Sequence, residues 1–260
     1  MTTDLYALLR SADVALGTWS QIAAPELLDI LGLNGFRFTV FDCEHAVFGV
    51  ETAAHLARSA EANGIVSLVR VSRNDPIEIM KALDAGIHHV VIPNLSTAEQ
   101  ARQAIAATRF QPEGLRGACP CVRSSGHFTR NWPEYAAAEE ARVSAIPLIE
   151  TKQGYENIEA ICATDGLKAV IMGPFDLSVS LGLKGNWRHA EVVAAVEEMV
   201  ATAVKANLAV MMPIFSPDPD ECAELMQKWR AHGVSGFIIG SDKILISNAF
   251  YEWSTRLRAP

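Results

Sequence analysis

The carboxylates of Glu150 and Asp176 lie at the ends of two apolar runs, and together they could bind a divalent cation. Glu150 closes the run Val143–Glu150, and Asp176 follows the run Lys168–Pro174, 26 residues further on. Close carboxylates repel each other unless they share a proton or a cation. Oxygen ligands alone suit Mg2+ or Mn2+. The alternative is a structural pair, with Asp176 capping a helix and Glu150 facing a loop.

Three more polar residues lie near the ends of two other runs. Asp42 ends the run Phe36–Asp42, His45 follows it, and Arg70 lies near the end of Ile65–Val71. A histidine there could transfer a proton near neutral pH, or could be structural. A buried guanidinium needs an anionic partner. For Arg70 this is either a substrate carboxylate or developing enolate, or a neighbouring acid in an internal salt bridge.

The lysines do not favour covalent Schiff-base chemistry. Such chemistry needs a lysine near the carboxyl end of a strand, in a pocket that lowers its pKa. Lys168 opens its run and therefore lies at the opposite end. Lys243, just past the run Gly236–Gly240, is the one candidate left, and a lysine in a loop is usually solvated.

Eight short apolar runs recur along the chain, with helical patterns between them. They are nearly continuous in apolar residues, as expected for parallel strands buried on both faces. The runs are Val14–Ser20, Phe36–Asp42, Ile65–Val71, His88–Pro93, Val143–Glu150, Lys168–Pro174, Leu208–Pro213 and Gly236–Gly240. Alternating strands and helices predict a TIM (β/α)8 barrel, an α/β fold, over residues 1–260 as one domain. An open doubly wound sheet is the alternative, disfavoured because its usual glycine signatures are absent.

Helical spacing of apolar residues, capping residues and stop signals predict helices in the segments between the runs. The predicted helices are Glu51–Asn63, Asp75–Ala85, Ser96–Thr108, Glu156–Ala163, Ala190–Ala206 and Pro217–His232. The segment Phe110–Arg142 breaks this rhythm, and we expect a long loop over the active face or at a subunit contact. Barrel enzymes place their chemistry at the carboxyl ends of the strands, where the polar residues described above would meet.

Composition excludes several classes of function. The chain has 260 residues and a formal net charge of −8, which argues against a nucleic-acid partner. Its five cysteines are an odd number, and we expect reduced thiols. No stretch approaches the ~20 apolar residues of a membrane span, and the amino terminus lacks the pattern of a signal peptide. We therefore expect a soluble, cytoplasmic protein.

Taken together, a set of short motifs resembles the HpcH/HpaI aldolases of the phosphoenolpyruvate/pyruvate superfamily over most of the chain. The motifs are Gly17-Thr18-Trp19, Phe41-Asp42-Cys43-Glu44-His45, Val69-Arg70-Val71, Leu83-Asp84-Ala85-Gly86, Glu113-Gly114-Leu115-Arg116-Gly117, Ile149-Glu150-Thr151 and Gly173-Pro174-Phe175-Asp176-Leu177-Ser178. Each motif is weak alone, and their order and spacing carry the resemblance.

The resemblance implies a class II aldolase that reversibly cleaves 4-hydroxy-2-oxoacids into pyruvate, or hydroxypyruvate, and an aldehyde. Two other functions stay open: an enzyme of the same scaffold that handles oxaloacetate, as a decarboxylase or like citrate lyase, and a non-catalytic barrel that binds an oxoacid. The resemblance also implies a homo-hexamer, a trimer of dimers, in which the C-terminal helix is exchanged between partners.

The resemblance assigns roles to the acidic pair and to the turn before Asp176. Glu150 and Asp176 look like the ligands of a divalent cation, Mg2+ or Mn2+, with Co2+ and Zn2+ as alternatives. Backbone amides around Gly173, Pro174, Phe175 and Asp176 would bind the carboxylate of the pyruvate half.

It assigns the proton and charge chemistry to four further residues. Arg70 resembles the arginine that meets the keto oxygen and stabilises the enolate. His45 looks like the histidine that moves the proton of the aldol hydroxyl. Asp42 lies beside that histidine, and Asp84 resembles the aspartate that pairs with it.

Three departures from the family pattern bear on the choice of aldehyde. Phe175 stands where a small residue is common, and Cys43 replaces the usual small residue of its motif. The segment Ala118–Thr129 is unusual in its cysteines and in His127, and only Arg123 in it looks family-like.

Overall fold

The structure is a computed structural model that describes residues 4–11 and 13–258. Its eight parallel strands pair in chain order and close into a barrel, β8 pairing with β1. The strands are β1 Ala15–Ser20, β2 Phe38–Asp42, β3 Val66–Arg70, β4 His89–Ile92, β5 Ser144–Ile149, β6 Ala169–Met172, β7 Ala209–Ile214 and β8 Gly236–Ser241. The predicted (β/α)8 barrel is confirmed, and each strand lies within about two residues of its predicted run.

Helices follow the strands around the outside of the barrel. They are α1 Leu5–Leu9, α2 Pro25–Leu33, α3 Val50–Ala62, α4 Pro76–Asp84, α5 Ala98–Thr108, α6 Trp132–Arg142, α7 Lys152–Glu156, α8 Ile158–Cys162, α9 Pro174–Ser180, α10 Ala190–Lys205, α11 Pro219–Ala231 and α12 Asp242–Arg258, with one short 3-10 helix at Arg123–Ser125. Side chains cap several of them at the amino end, as Asp75 does for α4 by accepting from two backbone N–H groups.

Two predicted segments differ from the structure. Phe110–Arg142 is not a continuous loop, because its second part forms α6, whose first turn is capped by the side chain of Asn131. The predicted helix Glu156–Ala163 is instead α7 and α8, which meet at Asn157. Both misjudgements come from cap residues, since asparagine begins a helix as readily as it marks a turn.

The core has two layers, one inside the barrel and one between strands and helices. Side chains alternate along a strand, so Arg70 shares the face of Leu68, and Glu150 continues the face of Leu148. Leu68 and Leu148 belong to the inner cluster, which also holds Phe38. The strands therefore aim both polar side chains into the barrel, at the level where the strands end.

The structure also bears on membrane-spanning helices and on the state of the cysteines. No helix within residues 4–11 and 13–258 is long and apolar enough to cross a membrane. The cysteines are free thiols, two exposed, one partly buried and two buried.

Candidate active site

A cavity of about 330 Å³ opens at the carboxyl ends of the strands. Its lining includes Glu150, Asp176, Arg70 and His45, together with the ring of Phe175. The barrel thus brings together residues that the sequence separates by up to 131 positions, from His45 to Asp176. We take this cavity as the candidate active site.

Arg70 lines the cavity and forms a buried ion pair with Asp42. Arg70 Nε donates to Asp42 Oδ1 at 2.9 Å, and Nη2 donates to Oδ2 at 2.6 Å. The guanidinium also lies over the ring of Trp19, 4.4 Å from its centroid. Burial alone would raise the pKa of Asp42, but the hydrogen bonds and charge of Arg70 outweigh it and the pKa is lowered. An arginine has five N–H groups, so this bidentate pair leaves three of them for other partners.

Glu44 adds a second carboxylate beside Arg70. Its Oε2 approaches Arg70 Nη1 at 3.1 Å, an ion pair that lacks hydrogen-bond geometry, so Oε2 accepts no hydrogen bond within the described chain. Its Oε1 accepts from Asn94 Nδ2 at 3.2 Å. Partial burial raises the pKa of Glu44, with Arg70 acting in the opposite direction. The sequence alternatives for Arg70 are therefore not exclusive: it has internal acidic partners and still faces the cavity.

Glu150 is a buried carboxylate that lacks a cationic partner among the described residues. It is 4% exposed, and its Oε1 accepts from the backbone N–H of Asn94 at 2.8 Å. Burial is the main cause that raises the pKa of Glu150 from 4.5 to about 7, and the negative charge of Asp176 contributes to this rise. Gly173 packs against it, since a Cβ at that position would lie 2.5 Å from the Cβ of Glu150. The carboxylate is therefore fixed in position but ionises with difficulty.

Asn94 is a site residue that the sequence reasoning missed. It follows β4 with a φ of 53°, in the left-handed region where asparagine is among the few tolerated side chains. This conformation directs its amide N–H to Glu150 while its side chain reaches Glu44. An asparagine just past a predicted strand was the available signal, although its two partners are distant in sequence.

Asp176 lies in the first turn of α9 and is exposed to the cavity. Gly173 occupies the cap position, so the alternative in which Asp176 caps this helix is wrong. Among the described residues, Asp176 has neither a hydrogen bond nor an ion pair through its side chain. Asp176 lines the same cavity as Glu150, and its negative charge raises the pKa values of Glu150 and Glu44.

The turn before Asp176 has fewer free backbone N–H groups for an anion than the sequence suggests. The N–H of Gly173 donates to the carbonyl of Ile149 at 2.9 Å, and Pro174 has no N–H. The first N–H groups of a helix have no partner within it. The amides of Phe175 and Asp176 are therefore the ones left to bind an anion.

His45 and Asp84 do not meet within one chain. His45 lies on the exposed turn after β2, and its backbone N–H donates to Asp42 Oδ1 at 3.1 Å. Asp84 is the last residue of α4, at the end of the barrel where strands begin, and accepts from Arg116 Nη2 at 2.9 Å. The two residues are therefore not brought together within a single chain, because helix α4 carries Asp84 back to the opposite face, and the pairing stays a prediction.

Two more polar residues, Gln21 and Asp242, support the site and were missed from the sequence. Asp242 accepts from the backbone N–H groups of Gln21 and Ile22 at 2.9 and 2.8 Å. The side chain of Gln21 donates to Asp42 Oδ2 at 2.8 Å. These bonds tie the end of β8 to the loop after β1, and that loop to the ion pair of Arg70.

Phe175 occupies the rim of the cavity. Its ring is 44% exposed and packs on the left-handed turn at Gly185, where a Cβ would lie 3.1 Å from the ring. An aromatic side chain at this position narrows the entrance beside Asp176.

Comparison with known proteins points to one family. The model of the HpcH/HpaI aldolase/citrate lyase family matches residues 15–249. The chain is 39% identical over 199 residues to a 5-keto-4-deoxy-D-glucarate aldolase of Klebsiella pneumoniae subsp. pneumoniae, covering 76% of this chain and 77% of the relative. A protein of the same name from Salmonella paratyphi A is 36% identical over 197 residues, 76% of each chain.

Solved structures agree with this comparison. An HpcH/HpaI aldolase/citrate lyase family protein from Burkholderia cenocepacia has a TM-score of 0.88 at 26% identity, with 98% of each chain covered. The citrate synthase SbnG has a TM-score of 0.83 at 27% identity, covering 98% of this chain and 96% of that one.

Because the pKa of Glu150 is raised, we expect the free energy of unfolding of the metal-free protein to depend on pH. Between pH 4.5 and 7 the folded protein holds a proton that the unfolded chain releases, so stability falls as pH rises through this window. Glu150→Gln cannot ionise and should gain stability over the parent by roughly 2–3 kcal/mol more at pH 8 than at pH 5. Urea unfolding after chelation measures this, with exposed Glu159→Gln as control. An equal effect of Glu150→Gln at both pH values would contradict it.

Proposed function

Because the chain belongs to the HpcH/HpaI aldolase/citrate lyase family and is a carbon–carbon lyase of the aldolase type, we propose its substrate class and cofactor. The substrates are 4-hydroxy-2-oxoacids, which it cleaves reversibly to pyruvate, or hydroxypyruvate, and an aldehyde. The relatives are named for 5-keto-4-deoxy-D-glucarate, which is a 4-hydroxy-2-oxoacid when counted from the carboxyl group beside its ketone. The observation that carries the proposal is the cavity shared by Glu150, Asp176, Arg70 and His45.

Glu150 and Asp176 fit a divalent cation, Mg2+ or Mn2+. Both carboxylates are without a cationic partner in the described part of the chain, and the negative charge of Asp176 contributes to the raised pKa of Glu150. Glu150 is buried with its pKa raised to about 7, so a nearby positive charge would favour its ionised form. No group of three or more acidic, histidine or cysteine side chains forms a metal cage within residues 4–11 and 13–258. Two carboxylates that leave the other positions to water and substrate are what Mg2+ prefers.

The cation would supply positive charge beside the carboxylate and keto oxygen of the bound oxoacid. Arg70 is placed to stabilise negative charge on the keto oxygen. As the C3–C4 bond breaks, negative charge grows on the keto oxygen, and the N–H groups that Asp42 leaves free can donate to it. The ion pair with Asp42 fixes the guanidinium in advance, so little reorganisation is needed when the charge develops.

His45 and the start of α9 complete the assignment. His45 lines the cavity and takes the proton of the C4 hydroxyl during cleavage, returning it during addition. The amides of Phe175 and Asp176 bind the carboxylate of the pyruvate half, because the Gly173 amide is already bonded to Ile149.

A second candidate keeps the same site and changes the substrate to oxaloacetate. The likeness to the citrate synthase SbnG, at 27% identity over nearly the whole chain, favours it. The charge chemistry is the same, since loss of carbon dioxide from oxaloacetate also leaves an enolate. Competition between substrates therefore separates the two functions.

We also propose a homo-hexamer in which α12 packs on a partner chain. Among the described residues of this helix, only Asp242 at its start is fully buried. Further along, Phe250, Tyr251, Trp253 and Leu257 are each 68–76% exposed. An apolar face of this kind on a helix is typical of an interface.

Removal of the metal should abolish cleavage. After chelation, release of pyruvate from 4-hydroxy-2-oxopentanoate should fall at least 100-fold and return with Mg2+ or Mn2+. Glu150→Gln and Asp176→Asn should each raise the metal concentration that gives half activity. Activity that survives chelation unchanged would exclude the metal, and consumption of oxaloacetate alone would exclude the proposed substrates.

Arg70 should act on the enolate beyond its pairing with Asp42. Arg70→Met should lower kcat by roughly 10²–10³, the range for loss of one comparable donor. The double variant Asp42→Asn/Arg70→Met removes both charges and should stay as slow. Recovery of kcat in the double variant would mean that Arg70 serves only to neutralise Asp42.

Charge on the apolar face of α12 should break up the assembly. Phe250→Glu/Trp253→Glu should sediment as a smaller species than the parent, whereas Ser247→Glu, on the same helix, should not. A parent chain that sediments as a 28.2 kDa monomer would overturn the proposed hexamer.

A further inference from the structure

Lys243 lines the candidate active site, although the proposed chemistry does not use it. It is the second residue of α12, immediately after β8, and is exposed at the cavity that also contains Glu150 and Asp176. The sequence reasoning weighed it only as a Schiff-base nucleophile. Its position in the cavity suggests that it binds the substrate without a covalent bond.

Lys243 is a cation without an internal partner. In the part of the chain that the structure describes, its ammonium group makes neither an ion pair nor a hydrogen bond. Arg70, the other permanent cation of the cavity, is engaged by Asp42 and Glu44. The charge of Arg70 is thus balanced by two internal carboxylates, whereas the charge of Lys243 has no such partner among the described residues.

The backbone under Lys243 is held in place. Its N–H donates to Oδ1 of buried Asp242 at 2.7 Å, and the other oxygen of that carboxylate accepts from Gln21 and Ile22. The base of the side chain is thus fixed to the barrel, and only the flexible stem has to be ordered when a ligand binds.

The cavity that Lys243 lines also has apolar side chains. Phe175, Phe215 and the neighbouring Ile244 line the same cavity. A cation beside an apolar wall suits a ligand with a carbon chain that ends in an anion. The carboxylate of the pyruvate half already has the amides at the start of α9, which leaves Lys243 for the other end of the substrate.

We propose that Lys243 is a specificity-determining residue that binds a carboxylate at the far end of the aldehyde half. This inference rests on the proposed function, because cleavage of an oxoacid is what defines an aldehyde half. Lys243 contributes binding energy and forms no covalent bond with the substrate.

The test compares two aldehydes of equal length with pyruvate as donor and Mg2+ present. Succinic semialdehyde carries a terminal carboxylate, and butanal carries a methyl group. In Lys243→Met the ratio of kcat/KM for succinic semialdehyde to that for butanal should fall about tenfold, the worth of a hydrogen bond to a charged group. Lys243→Arg should keep most of the ratio. Lys205→Met, which removes an exposed positive charge on α10, should leave it at the parent value.

The outcomes separate this inference from the proposed function. Turnover of either aldehyde by the parent supports the proposed aldolase, and an unchanged ratio in Lys243→Met then overturns the role of Lys243 alone. A parent that accepts neither aldehyde overturns both. Borohydride treatment with pyruvate, followed by mass spectrometry, tests the covalent alternative, and a reduced adduct on Lys243 would overturn a purely binding role.

Discussion

Arg70 and Asp42 form an ion pair inside the barrel, and the surrounding site depends on how its charge is balanced. One guanidinium faces Asp42, Glu44 and, at a longer range, Glu150. Burying charges is costly unless each is paired and hydrogen-bonded. Asp42 takes the two well-aligned N–H groups and stays ionised, so the remaining acids share what is left of the positive charge. Burial raises the pKa values of Glu44 and Glu150, and the charge of Arg70 offsets this effect only in part.

The charged groups are held by hydrogen bonds that run around the rim of the barrel. Asp242 after β8 holds the loop of Gln21, and Gln21 reaches Asp42 at the end of β2. Asn94 after β4 holds Glu44 and Glu150, which follow β2 and β5. Donors and acceptors fixed before the substrate arrives can stabilise a developing charge without reorganising, which is how such sites reduce a barrier. The closed barrel already places the ends of neighbouring strands side by side, so short hydrogen bonds can connect these residues.

The sequence predicted the residues that stand directly on strands and missed those that act across them. Glu150 and Arg70 were identified because a polar residue ends an apolar run, and the alternation of a strand then fixes its direction. Asn94 works mainly through a backbone amide turned by a left-handed φ, which no residue spacing reveals. The motif of Asp84 carries no information about which end of the barrel it occupies, whereas its helix does, so its pairing with His45 stays a prediction.

The two proposed metal ligands differ in a way that assigns them separate tasks. Glu150 is buried and bonded to Asn94, so a proton competes with a cation for it at pH values near 7. Asp176 is exposed at the entrance, beside Phe175, and has no such bond within the described residues. If the pair holds a cation, the buried carboxylate would set the pH at which it binds, while the exposed one would face the solvent. Phe175 adjoins Asp176 and shares the cavity with Lys243. The two residues that would distinguish one aldehyde from another therefore lie on the exposed side of the carboxylate pair, whereas Arg70 lies on the buried side.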